Sequence, residues 1–339
     1  VAFRPELSRL IHPEAMVVAP APHVALQTLV DSARAVNPAK VLTRIDYPWF
    51  EDSPYIARLE DQTTDQVTLI ALDPGTGRVL RHGGLSDWPI ELAFEIHFDL
   101  VSGDPGERVV GLVGLFIFSM AVMGLLIWWP GWRGVKRSFA VKFSSGSIRA
   151  TRDLHRVYGT VIAAVILLGA GTGIGLAWKP WFQAGLDKVT VMADWPPKAS
   201  PGTCEQTLSA DDVAAAAQTY EDGARLKSVR FTARKTGPVT VHLHSKTLSR
   251  PRAADRVLVD ACTGVVLGAK DADLVPWGDQ VLDWLLPIHT GEWLGLPGRI
   301  LMLVMALSLI GLGVTGYVIW SARNAKSRTK QTAATAEAR

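Results

Sequence analysis

Three long apolar runs without a charged side chain constrain this 339-residue chain more than any other feature. They extend over Val109–Trp129, Val157–Trp178 and Ile300–Trp320. At a rise of about 1.5 Å per residue, each run is long enough to cross a hydrocarbon core of roughly 30 Å. None has the short apolar region and small-residue cleavage site of a removed signal peptide. The sequence therefore predicts a polytopic membrane protein with three visible transmembrane helices and two long polar segments.

The distribution of basic residues predicts the orientation of these helices. The loop after the first run contains no acidic residue before Asp153, and it carries Arg133, Lys136, Arg137, Lys142, Arg149 and Arg152. Further cations follow the last run, namely Arg323, Lys326, Arg328 and Lys330. By the positive-inside rule this loop and the C-terminal tail are cytoplasmic. Residues 5–106 and 180–297 then lie on the opposite face, which in a bacterium is the periplasm, so we expect a multi-pass protein of the inner membrane.

Three spans cannot place both long segments on the same side of the membrane, so we expect a fourth helix before Val1. Ala2-Phe-Arg-Pro5 resembles Ala177-Trp-Lys-Pro180, which lies 175 residues later at the end of the middle run. Residues 1–4 are therefore predicted to be the tail of that helix. At the same offset, a counterpart of His155 would lie about twenty residues before Val1.

An internal tandem repeat organises the rest of the chain. His97, Pro105-Gly106, Gly124 and Trp128 each recur 192 residues later, as His289, Pro297-Gly298, Gly316 and Trp320. Both long segments show one helical pattern followed by about four strand-like runs, and the turn Asp73–Gly77 recurs 187 residues later at Asp260–Gly264. The predicted fold class is a membrane α-helical bundle with two periplasmic α+β units.

The predicted domain boundaries follow from these patterns. After the tail at residues 1–4 come the first α+β unit, a transmembrane helix, the cytoplasmic basic loop and a second transmembrane helix, at 5–106, 107–130, 131–153 and 154–179. The second α+β unit, the last transmembrane helix and the cytoplasmic tail follow at 180–297, 298–320 and 321–339. Cys204 and Cys262 both fall in the second α+β unit, where they either form a disulfide or stay free and buried.

Three histidines at the predicted membrane boundaries are the candidate functional residues. His97 and His289 precede the first and last apolar runs by about eleven residues, and His155 precedes the middle run. Ionisable residues at such positions indicate function, because burying their charge is costly. Two neutral imidazoles on opposite sides of a planar group satisfy a six-coordinate b-type haem. The alternative is that these histidines cap helices or contact lipid headgroups.

The other histidines and the glycines of the spans carry weaker signals. His242 and His244 alternate along a strand, so both point to one face and could bind a metal ion. His12, His23 and His82 are predicted to be solvated. The spans are rich in glycine, which suits close helix packing or the approach of a flat macrocycle; these residues are Gly111, Gly114, Gly124, Gly159, Gly169, Gly171, Gly173 and Gly175.

Three motifs resemble those of a known family. They are DLHRVYG at residues 153–159, the DPxTGxVL-type turns at Asp73 and Asp260, and HTGEWLGLPGR at residues 289–299. Together with the layout of the whole chain, they resemble the PepSY-associated transmembrane family of bacterial inner-membrane proteins. Within that family the chain is similar to iron-regulated members that reduce ferric siderophores in the periplasm.

The resemblance implies a cofactor, a substrate and a partner. One haem b would be held by His97 and His289, and a second by His155 with the histidine expected before Val1. The substrate would be a ferric siderophore, reduced so that Fe(II) is released for uptake. No GxGxxG after a strand, P-loop, GxSxG or HExxH occurs in the sequence, so a separate cytoplasmic or membrane donor must supply the electrons.

Two other functions are compatible with the same residues. The α+β units resemble PepSY domains, which are associated with restraining peptidases, and the helices could anchor such a binding or regulatory module without redox activity. Alternatively, the histidines could ligate haem or metal transiently during transport. Neither alternative involves nucleic acid.

Overall fold

The computed structural model describes residues 2–16, 22–64, 66–195, 204–221, 223–232, 237–244, 250 and 252–337. Val1 and the last two residues of the predicted cytoplasmic tail lie outside these ranges. The helices are α1 Arg4–Ile11, α2 Leu26–Val36, α3 Pro89–Asp99, α4 Gly103–Trp128, α5 Val135–Ser138, α6 Ser147–Ala177, α7 Lys179–Asp187, α8 Ala210–Gln218, α9 Trp277–Thr290 and α10 Gly295–Glu337. The strands are β1 Val41–Asp46, β2 Tyr55–Glu60, β3 Val67–Leu72, β4 Val79–Gly84, β5 Arg225–Arg230, β6 Val239–His244, β7 Asp255–Val259 and β8 Val266–Lys270.

The chain divides into two compact units. The sheet unit consists of residues 3–101 and 180–284, and the helical unit consists of residues 102–179 and 285–339. Both units are therefore discontinuous in sequence, since the chain passes from one to the other repeatedly.

All eight strands of the sheet unit form one antiparallel sheet in the order β4-β3-β2-β1-β5-β6-β7-β8. Sequence analysis placed these strands in two α+β units, whereas the structure joins the two sets of four. The junction is the pairing of β1 with β5, in which Arg44, Ile45 and Asp46 lie opposite Arg230, Val229 and Ser228. Because side chains alternate along each strand, this register puts Ile45 and Val229 on one face and the four polar residues on the other.

The main hydrophobic core lies on the first of these faces, where α2 and α8 cover the sheet. The apolar positions of α2 recur at helical spacing, so Leu26, Leu29, Val30 and Ala33 all point inward. The helix N-termini are joined by reciprocal hydrogen bonds. The backbone N–H groups of Leu26 and Gln27 donate to the Asp211 carboxylate at 2.7 and 2.9 Å, and Ala210 N–H donates to the Gln27 side-chain oxygen at 2.8 Å. These bonds satisfy donors that a helix start leaves unpaired.

A smaller cluster covers part of the other face, on the β2–β4 side of the sheet. It consists of Ala15, Leu69, Ala71 and Trp88. His12, expected to be solvated, is 6% exposed and packs edge-on against Trp88, with ring centroids 5.2 Å apart. The prediction that His12 is solvated was wrong, because its imidazole is buried where two distant segments of the chain pack together. His23 and His82 are exposed, as expected.

The two repeated turns have the same hydrogen bonds. The Asp73 carboxylate accepts the N–H groups of Gly75 and Thr76 at 2.9 and 2.8 Å, and Asp260 accepts those of Cys262 and Thr263 at 2.7 and 3.1 Å. A glycine with φ near +70° ends each turn, at Gly77 and Gly264. A positive φ is sterically unfavourable for a residue with a Cβ atom, whereas glycine adopts it readily.

The second turn also carries a covalent link. Cys204 and Cys262 form a disulfide across 58 residues, with their Cα atoms 5.7 Å apart. The structure thereby decides between the bonded and free states that the sequence left open.

Asp255 makes the stability of the sheet unit depend on pH. Its side chain is 1% exposed and accepts Ala272 N–H at 2.7 Å. Burial, together with the nearby Glu221 carboxyl, raises the pKa of Asp255 from 3.8 to about 7. Between these values the folded chain holds a proton that the unfolded chain lacks, so stability falls as pH rises from about 4 to about 7.

We expect the Tm of the variant D255N in detergent, relative to that of the wild type, to be higher at pH 8 than at pH 5. Asparagine keeps an acceptor for Ala272 without a charge, so the variant lacks the proton that the folded wild-type chain alone holds between about pH 4 and pH 7. The matched control is D31N, which neutralises an exposed carboxylate on α2. Equal pH sensitivity in D255N and the wild type would contradict this assignment.

In the helical unit, α4 and α10 both pack against α6. Within the described residues, three segments are long and apolar enough to cross a membrane: Gly103–Trp128, Ser147–Ala177 and Glu292–Lys326. Each helical segment begins several residues before the apolar run that predicted it. The additional turns of α6 contain Asp153, whose carboxylate accepts Lys142 N–H at 3.1 Å and pairs with Arg156 at 3.1 Å. Charged residues of this kind lie outside a hydrocarbon core but remain compatible with a helix.

Candidate functional site

The structure places two of the three candidate histidines in the helical unit. His155 lies two turns into α6, and His289 lies at the end of α9, just before α10. Both side chains are half-buried. His97 belongs to the sheet unit, where it lies exposed in the last turn of α3.

The imidazole of His289 is held by α6. Its Nδ1 lies 2.9 Å from the carbonyl oxygen of Gly169 and 3.2 Å from Oγ1 of Thr172. A carbonyl oxygen can only accept a hydrogen bond, so Nδ1 carries the proton. In the neutral ring, Nε2 then has the lone pair. A hydrogen bond of this type is the usual way in which proteins orient a metal-binding histidine.

Glycine at position 173 allows the His289 ring to lie against the helix. A Cβ atom on Gly173 would be 3.0 Å from Cε1 of His289. One turn earlier, a Cβ on Gly169 would be 2.7 Å from the sulfur of Met305 on α10. The glycines of α6 therefore serve close helix packing and, at Gly173, also make room for a candidate ligand.

The imidazole of His155 is held in a similar way by α10. Its Nδ1 lies 2.8 Å from Oγ1 of Thr315. The Thr315 hydroxyl donates its proton to the Gly311 carbonyl at 2.8 Å, so it accepts from the histidine. Nδ1 of His155 is thus protonated, and Nε2 has the lone pair, as in His289. A Cβ on Gly316 would be 3.6 Å from Cε1 of His155, which is ordinary contact.

The two histidines are supported by the same dipeptide on opposite helices. Thr172-Gly173 on α6 supports His289, and Thr315-Gly316 on α10 supports His155. Neither threonine was predicted from the sequence. A Thr-Gly pair within an otherwise apolar run could have indicated them, because a threonine hydroxyl there must find a hydrogen-bond partner.

The two histidine sites lie far apart along the span. Eighteen residues of α6 separate His155 from Gly173, which at about 1.5 Å per residue is about 27 Å. That distance is close to the thickness of a hydrocarbon core. The two sites of the helical unit are therefore separated along α6 by about the length that crosses a membrane.

A turn between α9 and α10 positions the backbone next to His289. Gly291 has φ +81°, and a Cβ atom there would lie 2.3 Å from the carbonyl oxygen of Gly298. A Cβ on Gly298 would in turn lie 2.1 Å from the carbonyl oxygen of Gly291. Thr290 closes the end of α9 by donating to the Leu286 carbonyl at 3.0 Å. The direct contact between two backbones explains Gly291 and Gly298, two of the three glycines in the HTGEWLGLPGR motif.

The tautomers of His155 and His289 are compatible with axial ligation of a haem. No group of three or more His, Cys, Asp or Glu side chains in the described part of the chain is arranged to hold a metal ion. A haem supplies four ligands itself and needs only axial nitrogens from the protein. His155 and His289 present imidazoles of the required tautomer. The pairing of His97 with His289, which belong to different units, and the partner of His155 both stay predictions.

The comparison with known families agrees with the motifs in the sequence. The model described as "PepSY-associated TM region" matches residues 1–323, which is nearly the whole chain. No curated protein sequence matches it. The family's transmembrane character agrees with the three spans of the helical unit. On this match, the chain belongs to the PepSY-associated transmembrane family.

Proposed function

We propose that this protein is a haem-containing reductase of the bacterial inner membrane. It passes electrons from the cytoplasmic side to a ferric siderophore in the periplasm and so releases Fe(II) for uptake. The observation that carries the proposal is the support of His155 and His289 by Thr-Gly pairs near opposite ends of the span. Each histidine is held through Nδ1, which is how an axial ligand presents Nε2 to iron.

The chemistry requires one electron for each iron atom. Siderophores bind Fe(III) through hard oxygen ligands, which hold Fe(II) far less well. One-electron reduction therefore loosens the complex without any covalent bond being cleaved in the chelator. The electron comes from a separate one-electron donor on the cytoplasmic side or in the membrane.

Haem, when bound, supplies reversible one-electron exchange between Fe(III) and Fe(II). The residues of this chain provide the ligands and their orientation. Thr315 holds His155, while the Gly169 carbonyl and Thr172 hold His289. Gly173 and Gly316 leave room for the rings. The proposed occupancy is two haems b per chain, with His97, His155 and His289 as the candidate axial ligands.

The proposed topology places the sheet unit in the periplasm. The Cys204–Cys262 disulfide supports this orientation, since disulfides persist in oxidising compartments. The basic loop that contains Arg133 and Arg152 supports it independently through the positive-inside rule. We further propose that the chain is a tandem duplication of PepSY-like units, because the element order α2-β1-β2-β3-β4 recurs as α8-β5-β6-β7-β8.

The absorption spectrum of the purified full-length protein tests this function. We expect sharp bands of low-spin b-type haem after dithionite reduction, and a pyridine haemochrome value near two haems per chain. Addition of a ferric siderophore should reoxidise the haem. Replacement of His289 or His155 by alanine should remove about half of the haem, because each histidine serves a different site.

The matched control is H82A, which replaces an exposed histidine on β4 and should leave the spectrum unchanged. A folded but colourless protein would contradict the reductase. That result would favour a membrane-anchored PepSY binding or regulatory module. Haem that is labile and substoichiometric would instead favour transport.

A further inference from the structure

The face of the sheet opposite α2 and α8 carries a band of polar side chains across the junction of β1 with β5. Strand register places them in two neighbouring rows. Arg58, Arg44 and Arg230 lie directly opposite one another on β2, β1 and β5. In the next row, Asp46, Ser228, His242, Arg256 and Lys270 lie opposite one another on β1, β5, β6, β7 and β8.

Three cations of this band are paired with carboxylates, whereas Arg230 and Arg256 are not paired within the described residues. Arg58 pairs with Glu60 and Glu95 at 2.8 and 3.0 Å, and Lys270 pairs with Asp279. At the centre, Arg44 pairs with Asp46 at 2.8 Å. Arg230 and Arg256 make no hydrogen bond or ion pair through their side chains with another residue in the part of the chain that the structure describes.

Arg44 and Arg230 form a cross-strand pair of like charges. Residues directly opposite in an antiparallel pair have Cβ atoms about 5 Å apart, and like charges in this position destabilise a sheet. Desolvation, followed by the positive charge of Arg44, lowers the pKa of Arg230, although the charge of Asp46 opposes this shift. Such a pair at the only junction between the two sets of strands costs stability unless an anion binds between them. Functional sites commonly carry a cost of this kind.

His242 adds a ring nitrogen that also lacks a hydrogen-bond partner among the described residues. Its Nδ1 is fully buried and makes no hydrogen bond with the described residues. Burial and the charges of Arg230, Arg256, Lys227 and Arg44 lower the pKa of His242 to about 3. The ring is therefore neutral at physiological pH and can donate a hydrogen bond to an oxygen atom.

Few acidic groups oppose these cations. Asp46 pairs with Arg44, and Asp283 on α9 acts on Arg256 at longer range. Burial raises the pKa of Asp283, although the charge of Arg256 opposes this shift. Lys227 donates to the Arg252 carbonyl at 2.7 Å, and its charge contributes to the lowered pKa of His242. The centre of the band therefore has a net positive charge.

We propose that Arg44, Arg230, Arg256 and His242 form an anion-binding site for a ferric chelate that carries several carboxylates. The four residues belong to four adjacent strands, so they extend over three interstrand gaps, or about 14 Å. A single phosphate cannot contact all of them, but a metal chelate with several carboxylates can. Arginine binds carboxylates through paired hydrogen bonds. The proposal rests on the proposed function for the identity of the metal.

Binding of gallium(III) citrate to the full-length protein tests this site without electron transfer. Gallium(III) has the charge and oxygen preference of Fe(III) but is not reduced under these conditions. We expect saturable binding in isothermal titration calorimetry, weakened by roughly ten- to a hundredfold in R230Q and R256Q, since each loses a charge-assisted hydrogen bond. The control R34Q removes an exposed cation from α2, which covers the other face, and should bind as the wild type does.

A second measurement separates ligand binding from a purely structural role. R230Q should have a Tm equal to or above that of the wild type without ligand, because the like-charge repulsion is removed. It should also show a smaller Tm increase on addition of gallium citrate. A lower Tm without ligand, together with unchanged affinity, would overturn the site.

The two proposals fail in distinguishable ways. A colourless protein that binds gallium citrate through Arg230 would overturn the reductase but retain the anion site. A haem protein that reduces a ferric trihydroxamate but does not bind gallium citrate would overturn the anion site alone. Displacement by inorganic phosphate at equal concentration would overturn the assignment to a polycarboxylate chelate.

Discussion

Removal of the Cys204–Cys262 disulfide is expected to lower the free energy of unfolding of the sheet unit by about 4 kcal/mol. This value follows from the entropy of closing a 58-residue loop in the unfolded chain. The disulfide joins the segment that leads into α8 to the turn between β7 and β8. Leu208 N–H also donates to the Ala261 carbonyl at 2.8 Å, so one short hydrogen bond remains without the disulfide.

Urea unfolding of the detergent-purified protein would measure this effect. The double variant C204S/C262S and the reduced wild-type protein should lose the same amount of stability, because both remove only the cross-link. The first half of the sheet has the equivalent hydrogen bond without a disulfide. There, Val24 N–H donates to the Pro74 carbonyl at 2.8 Å, as Leu208 N–H does to Ala261. A loss below about 1 kcal/mol would show that the loop is already constrained in the unfolded chain.

Replacement of Gly298 by alanine is expected to destabilise the junction of α9 with α10 by about 1–3 kcal/mol, the usual cost of overpacking. The new Cβ would lie 2.1 Å from the Gly291 carbonyl oxygen and 2.8 Å from Cβ of Leu294. One of these contacts is backbone, so the clash cannot be relieved by a side-chain rotation. The backbone next to His289 must move instead.

The variant therefore has two measurable consequences. The Tm of G298A should fall by several degrees, and, under the proposed function, the haem associated with His289 should become substoichiometric. The control is G311A on the same helix, where nothing lies within 4 Å of the added Cβ. We expect G311A to keep the wild-type Tm and spectrum. An unchanged Tm in G298A would contradict the close backbone contact.

The sequence alone indicated the candidate histidines, but it could not indicate the proposed anion site. Cations on a sheet become a site only when register places them side by side, and the pairing of β1 with β5 joins residues 186 positions apart at Arg44 and Arg230. From the sequence, His242 was predicted only as a possible metal ligand together with His244. The structure leaves His244 exposed and places His242 among arginines instead.

The sequence by itself determined the features that depend on local patterns. Three uncharged apolar runs predicted the three spanning helices, since hydropathy and length suffice for a helix that satisfies its own backbone. The strand-like runs in each long segment likewise predicted two sets of about four strands, and the structure has β1–β4 and β5–β8. The motifs around His155 and His289 indicated the family that the comparison confirmed.

Only the tertiary structure decided which distant residues meet. It joined two sets of four strands into one sheet, buried His12 against Trp88, closed the Cys204–Cys262 disulfide and placed Thr315 beside His155. These contacts connect residues that lie between 58 and 186 positions apart in the sequence. Local propensity contains no information on such pairings, because their stability comes from the burial and hydrogen bonds of both partners together.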